Sequence, residues 1–211
     1  MADKVKNVYD ITPPITSRLC VWSGDTSFSS ETLCHLNQGG SVTLTTIHTT
    51  VHLGAHADAP MHYQNIGETI GERDISYYIG DCQVIHVEIQ RGKFITPEDI
   101  KGVEILAERI LFATNTFNEN NWNDNFVALS PELVEELSSK GVILVGIDTP
   151  SVDLMNSKDL PVHKAILAKD MAILEGLLLR DVPEGKYELI ALPLKLMGVD
   201  ASPVRAILRK L

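Results

Sequence analysis

The chain has 211 residues, with 18 Lys and Arg against 28 Asp and Glu and a net charge of -10. That balance excludes a nucleic-acid or anionic-membrane partner, because phosphate surfaces need a cationic face. The longest apolar stretches, Val142–Ile147 and Leu177–Leu179, fall far short of the ~20 residues of a membrane span. Met1-Ala2-Asp3-Lys4 lacks the apolar run of a signal peptide. Cys20, Cys34 and Cys82 form no CxxC pair, so they read as free, buried thiols in a reducing cytoplasm.

In chain order, the first strand signal is Ser41–His52, rich in Thr and Val, followed by Cys82–Ile89. Thr96-Pro97-Glu98-Asp99 has the N-cap, the proline and the acids of a helix start. Arg109–Ala113 is a short β-branched strand, and Thr116–Asn125, rich in Asn and Asp, reads as a surface loop. Ser130-Pro131-Glu132 repeats the helix-start pattern, and its helix should stop before Gly141. Val142–Ile147 is a strand, Val162–Lys169 a short helix, and Met171–Leu179, Tyr187–Leu196 and Pro203–Leu208 complete the strands. An excess of strands with a few helices predicts an α/β fold, one domain over residues 1–211 with a mixed sheet rather than a doubly wound one. No GxGxxG or GxxxxGK[ST] loop is present, which removes nucleotide cofactors from the leading readings.

Four of the seven histidines lie in His48-Thr-Thr-Val-His52-Leu-Gly-Ala-His56-Ala-Asp58-Ala-Pro-Met-His62. A helix is excluded, because Gly54 and Pro60 are poor helix residues and Leu53 stands where an HExxH motif needs Glu. At about 100° per residue, a helix would also turn Asp58 away from His52 and His56. In extended chain, His52, His56, Asp58 and His62 share one face, Gly54 clears space beside them, and Leu53, Ala55, Ala57, Ala59 and Met61 form an apolar backing. Imidazoles and a carboxylate on one face are the donors that Zn²⁺ and similar cations prefer, and an Asp can bridge two ions. His48 shares the face, but neighbouring Thr residues are able to satisfy it. Glu175, in the otherwise apolar Met171–Leu179, needs a metal cation or a Lys or Arg as partner. Spacing alone does not select His163, at the start of a short helix. Asp148 reads as a turn residue and His86 as a hydrogen-bonded sheet residue.

The pattern HxGxHxDxPxH resembles the cyclase family of metal-dependent hydrolases. Tyr9–Ile15, Trp22-Ser23-Gly24-Asp25, Gly146–Ser151, Ala172–Gly176, Leu192–Lys195 and Ala201–Ala206 are similar to further family elements, so the resemblance covers nearly the whole chain. Two positions depart from it: Ala55 stands where many members have Thr, and Ser23 where Pro usually follows the Trp. The resemblance implies a compact α/β domain with a curved β-sheet of the swivelling β/β/α type, usually a homodimer. It implies two zinc ions per subunit, with Mn²⁺ or another divalent metal as alternatives. His52, His56 and Asp58 would hold the first ion, Asp58 and His163 the second, and Glu175 would touch both. His62 would be the acid/base, and Trp22 would contact an aromatic substrate. The family's aryl-formamidase branch, the nearest one, implies hydrolysis of N-formyl-L-kynurenine to kynurenine and formate. A cyclic amide such as isatin is the alternative substrate, and a non-catalytic metal- or small-ligand-binding protein the alternative of another class. Tyr77, Tyr78 and Trp122 are the residues whose loops would tune the pocket.

Overall fold

A computed structural model describes residues 7–211; the expectation drawn from Met1–Lys4 concerns residues outside that range. In chain order the strands are β1 (Val8–Asp10), β2 (Ser29–Cys34), β3 (Leu44–His48), β4 (His56–Asp58), β5 (Ile79–His86), β6 (Phe94–Ile95), β7 (Arg109–Ala113), β8 (Ala128–Leu129), β9 (Leu144–Ile147), β10 (Ala172–Glu175), β11 (Gly185–Ile190), β12 (Ala201–Pro203) and β13 (Ile207–Lys210). The helices are α1 (Pro131–Ser139) and α2 (Pro161–Ala168). Nine strands form one curved, mixed sheet in the order β1-β13-β11-β5-β7-β9-β10-β4-β12, while β2-β3 and β6-β8 pair separately. The expected α/β architecture with a curved mixed sheet is the one observed.

The centre of the sheet is parallel, β5 to β7 to β9 to β10. Every residue of Arg-Ile-Leu-Phe-Ala in β7 is buried, as expected for a parallel strand covered on both faces. Alternation then divides the core in two. Ile110, Phe112, Val145, Ile147 and Ile173 face α1 and α2 with Leu133, Leu137, Val162 and Ile166. Leu111, Ala113, Leu144 and Leu174 face the other way, with Ala57, Leu189 and Leu208. α1 begins as its sequence dictates: the Ser130 hydroxyl accepts from the Leu133 N–H at 3.2 Å. Lys140 caps its end and Gly141 turns the chain with φ +86°.

Several boundaries differ from expectation, each for a local reason. The strand expected over Ser41–His52 is confined to β3, which pairs with the unanticipated β2 rather than joining the main sheet. The Thr96 capping box is real, with the Thr96 N–H donating to Asp99 at 2.7 Å. It opens only a short 3-10 turn over Pro97–Ile100, however, because Gly102 follows with φ +84°. Within His52–His62 the extended run is only β4; Pro60–His62 is a 3-10 turn and Met61 is exposed, so it is not part of the apolar backing. The strand expected to Leu179 stops at Glu175, because Gly176 takes φ +65°. The strand from Tyr187 ends at Ile190, and Pro203–Leu208 splits between β12 and β13.

Candidate metal centre

Three strands and a helix build the site. β4 lies between β10 and β12, and its register sets His56 opposite Glu175 and Asp58 opposite Ile173. Residues directly opposite share a face, as do residues two apart, so His56, Asp58 and Glu175 all point to the side covered by α2. Asp153 fastens the start of α2 there. Its carboxylate accepts from the N–H groups of Val162 and His163, at 3.2 and 3.1 Å, and from His163 Nδ1 at 2.7 Å. His52 enters from the preceding loop. Four residues that sequence reading could connect only by resemblance or spacing thus meet around Asp58, which is 1% exposed.

The second ring nitrogen of each imidazole reveals what the first is for. His56 Nδ1 donates to the Gly54 carbonyl at 2.8 Å, His163 Nδ1 to Asp153, and His52 Nε2 to Asp200 at 3.0 Å. Fixing one nitrogen as donor leaves the other as a lone pair directed at the site, the usual arrangement around a ligated metal. His52 Nδ1 is then 3.0 Å from Asp58 Oδ1, and His56 Nε2 is 3.4 Å from it. His56 Nε2 is 3.3 Å from Glu175 Oε2, and His163 Nε2 is 3.6 Å from Asp58 Oδ2. Yet His56 Nε2, His163 Nε2 and both Asp58 oxygens are buried without a hydrogen-bond partner. Four orphaned polar atoms around one point would be costly in a settled protein interior. A divalent cation is the group this donor set fits. Ligand atoms of His52, His56 and Asp58 lie within 4.8 Å of one another, and so do those of Asp58, His62 and His163.

Electrostatics follow from the same contacts. Burial acts to lower the imidazoles, but the negative charges of Asp58 and Asp200 prevail at His52, lifting it to about 9 in the metal-free protein. At His163, Asp153 and Asp58 likewise overcome burial and lift it to about 10. Asp58 is driven well below the usual carboxylate range, burial notwithstanding, by His163 and His52. Glu175 has no Lys or Arg within ion-pair distance among the described residues; the Val152 N–H donates to its Oε1 at 2.7 Å, and its remaining neighbours are His56 and His163. Of the two partners open to it from sequence, a Lys or Arg is the one the fold does not provide.

His62 sits at the solvent edge, its ring centroid 4.2 Å from that of His52. Its Nδ1 meets Asp200 Oδ2 at 3.2 Å, so one carboxylate oxygen serves both His52 and His62. Sequence reading missed Asp200 and Asp153: no spacing rule links them to histidines 148 and 10 residues away. Gly54 does more than clear space. It takes φ +57° so that its carbonyl meets His56, and a Cβ on Gly176 would stand 2.2 Å from that carbonyl oxygen. His48 is exposed in the β2-β3 hairpin, 3.6 Å from Glu31, away from the cluster. Asp148 is more than a turn residue: it accepts from the N–H and hydroxyl of Thr114 and the N–H of Asn115, tying the ends of β7 and β9. His86 Nε2 donates to the Val182 carbonyl at 2.7 Å as a sheet residue.

The donors open into a cavity of about 450 Å³. Trp22, Phe117 and Trp122 also line it. Trp22 and Trp122 meet edge to face at 5.5 Å, and Phe117 meets Trp122 at 5.2 Å. Tyr77 and Tyr78 do not line it. Tyr77 packs under Arg73 and donates to Asp170, and Tyr78 is fully buried in the core.

Fold and site together define an α/β protein that binds a divalent metal beside an aromatic cleft. The Cyclase family model, described as "Putative cyclase", matches residues 9–154. The chain belongs to this family. It is 44% identical over 211 residues to a kynurenine formamidase of Polaromonas naphthalenivorans (strain CJ2), covering all of this chain and 94% of that one. It is 44% identical over 209 residues to the kynurenine formamidase of Bordetella petrii, covering 98% of this chain and 100% of that one. Among solved structures it resembles a predicted metal-dependent hydrolase from Bacillus stearothermophilus, with TM-score 0.80 and 32% identity over 95% of this chain and 97% of that one.

Proposed function

We propose that this chain, as a single hydrolase domain, hydrolyses the formamide of N-formyl-L-kynurenine to kynurenine and formate. The full-length likeness to two kynurenine formamidases supports the substrate. The chemistry rests on one observation: four atoms of His56, Asp58 and His163 are buried and unpartnered, and His56 and His163 line a cleft together with Trp22 and Trp122.

Two divalent ions, zinc by donor preference, would be held by His52, His56 and Asp58 on one side and Asp58 and His163 on the other, with Glu175 reaching both. When bound, they supply Lewis acidity that polarises the formyl oxygen and brings the pKa of water down toward ~7. The protein does the rest. Water adds to the formyl carbon, the C–N bond breaks, and the aniline nitrogen must gain a proton, because an anilide anion is a poor leaving group. His62 carries that proton: with Nδ1 donating to Asp200, its Nε2 lone pair takes a proton from the attacking water and passes it to the aniline nitrogen. Trp22 and Trp122 present faces and edges to the aryl ring and exclude water from the cleft.

The same reading places the protein in the cytoplasm, in keeping with its three free cysteines, and pairs it with a second copy. Leu33, Leu44 and Ile47 are each more than half exposed on the β2-β3 hairpin, with Leu36 and Val42 in its connection. Apolar surface of that extent on one projecting element favours association. Light scattering should return a dimer mass, and a monomer at micromolar concentration would remove this part of the proposal.

A substrate panel tests the activity. N-formyl-L-kynurenine should be turned over far faster than isatin or an aliphatic formamide. A preference for isatin would move the assignment to the cyclic-amide branch, and no hydrolysis of any of them by metal-loaded protein would leave a metal-binding clip.

A further inference from the structure

Outside the imidazoles, one cation lines the cleft. Arg180 is the sole Lys or Arg among the lining residues. It lies five positions after Glu175, so the two Cα atoms are at most about 18 Å apart along the chain. Its Nη2 pairs with Glu119 Oε2, and Glu119 lines the same cleft. Backbone bonds place both partners. The Leu178 N–H donates to the Ile11 carbonyl at 2.9 Å, and the Cys20 N–H donates to the Glu119 carbonyl at 2.8 Å, beside the segment that carries Trp22.

This pair has little to do for stability. The Arg180 side chain is 46% exposed and that of Glu119 17%, so solvent reaches the pair from the arginine side and its contribution to folding is modest. Only Nη2 of Arg180 is engaged in a hydrogen bond among the described residues, which leaves further guanidinium N–H donors open to the cleft. The other carboxylates on the lining are already committed. Glu175 belongs to the metal centre, Asp148 accepts from Thr114 and Asn115, and Asp25 accepts from the Thr26 N–H.

We infer that Arg180 and Glu119 form a subsite for an α-amino-acid tail on the substrate, making Arg180 a specificity-determining residue. This inference rests on the formamidase reading and extends it from the aryl formamide to the rest of the molecule. N-formyl-L-kynurenine carries an α-carboxylate and an α-ammonium at the end of the molecule remote from the formamide. A planar guanidinium is the matched partner of a carboxylate, able to bind it through two N–H groups. Away from the metal centre, the other charged side chains on this lining are the carboxylates Asp25, Glu119 and Asp148. Glu119, next to Arg180, offers the complementary charge to the ammonium. The ion pair of the free protein thus presents a cation and an anion in one place to a zwitterion.

Steady-state kinetics on metal-loaded protein test this with two substrates that differ only in the tail: N-formyl-L-kynurenine and 2-formamidoacetophenone. Arg180→Gln should lower the ratio of kcat/KM for the first over the second at least tenfold, through KM. Arg180→Lys should recover part of the ratio, because it restores the charge without the fork. Glu119→Gln should lower the ratio by less. An unchanged ratio with the wild type active on both formamides overturns the subsite alone. An equal loss on both substrates also overturns it, since that assigns Arg180 a structural role. A wild type that turns over neither formamide removes the formamidase reading, and the subsite with it.

Discussion

The two walls of the cleft are built on different terms. The metal-facing wall is made by paired strands and a helix start, with every ligand ring held by a second bond to Gly54, Asp153 or Asp200. The aromatic wall is made by loops: Trp22 lies between β1 and β2, Phe117 and Trp122 between β7 and β8, and they touch edge to face without a shared strand. Rigid elements set positions more closely than loops do. On the proposed function, chemistry belongs to the first wall and choice of substrate to the second, so substitutions on the two should fail differently.

The largest failure belongs to the strand wall. Asp58→Ala should lose at least one equivalent of metal by elemental analysis and cut kcat by roughly a thousandfold, the value of several kcal/mol of charge stabilisation. His62→Ala should keep its metal and lose about 10²–10⁴-fold in kcat; metal lost along with activity would make His62 a ligand. Asp200→Asn should cost about 10–100-fold in activity or metal affinity, since it supports both His52 and His62 from behind. Gly176→Ala tests the scaffold itself. It sets a Cβ against the Gly54 carbonyl at a positive φ, so a loss of about 1–3 kcal/mol is expected, read as a fall in Tm of roughly 2–4 °C per kcal/mol. The smallest effect falls on the loop wall. Trp22→Ala should raise KM for the aryl substrate about 2- to 12-fold, equivalent to ~0.5–1.5 kcal/mol of aromatic contact, with kcat little changed. A kcat effect as large as that of His62→Ala would erase the distinction between the walls.

Sequence made the strand wall legible where the signal was local. The short β-branched strand at β7 and the Ser130 cap of α1 depend on neighbours in the chain, and both were readable. His52, His56 and Asp58 stood out because three metal-type donors fell within seven residues, even though only His56–Asp58 is strand. His163 was reached only through family resemblance, because its place depends on Asp153 and on α2 docking over β4. Asp200 carried no signal at all; it comes to His52 by the pairing of β12 with β4, a contact 148 residues long. Of the β2-β3 hairpin, only β2 escaped, for a related reason. Its Ser29–Cys34 strand is exposed along most of its length, so no buried face imposes a readable alternation.

Metal content and N-formyl-L-kynurenine turnover, followed together as a chelator strips the purified protein and Zn²⁺ is returned, test the central claim most directly. The account predicts that activity falls in proportion to metal lost and returns with it, while far-ultraviolet circular dichroism stays unchanged. Full turnover by protein shown to be free of metal would contradict it.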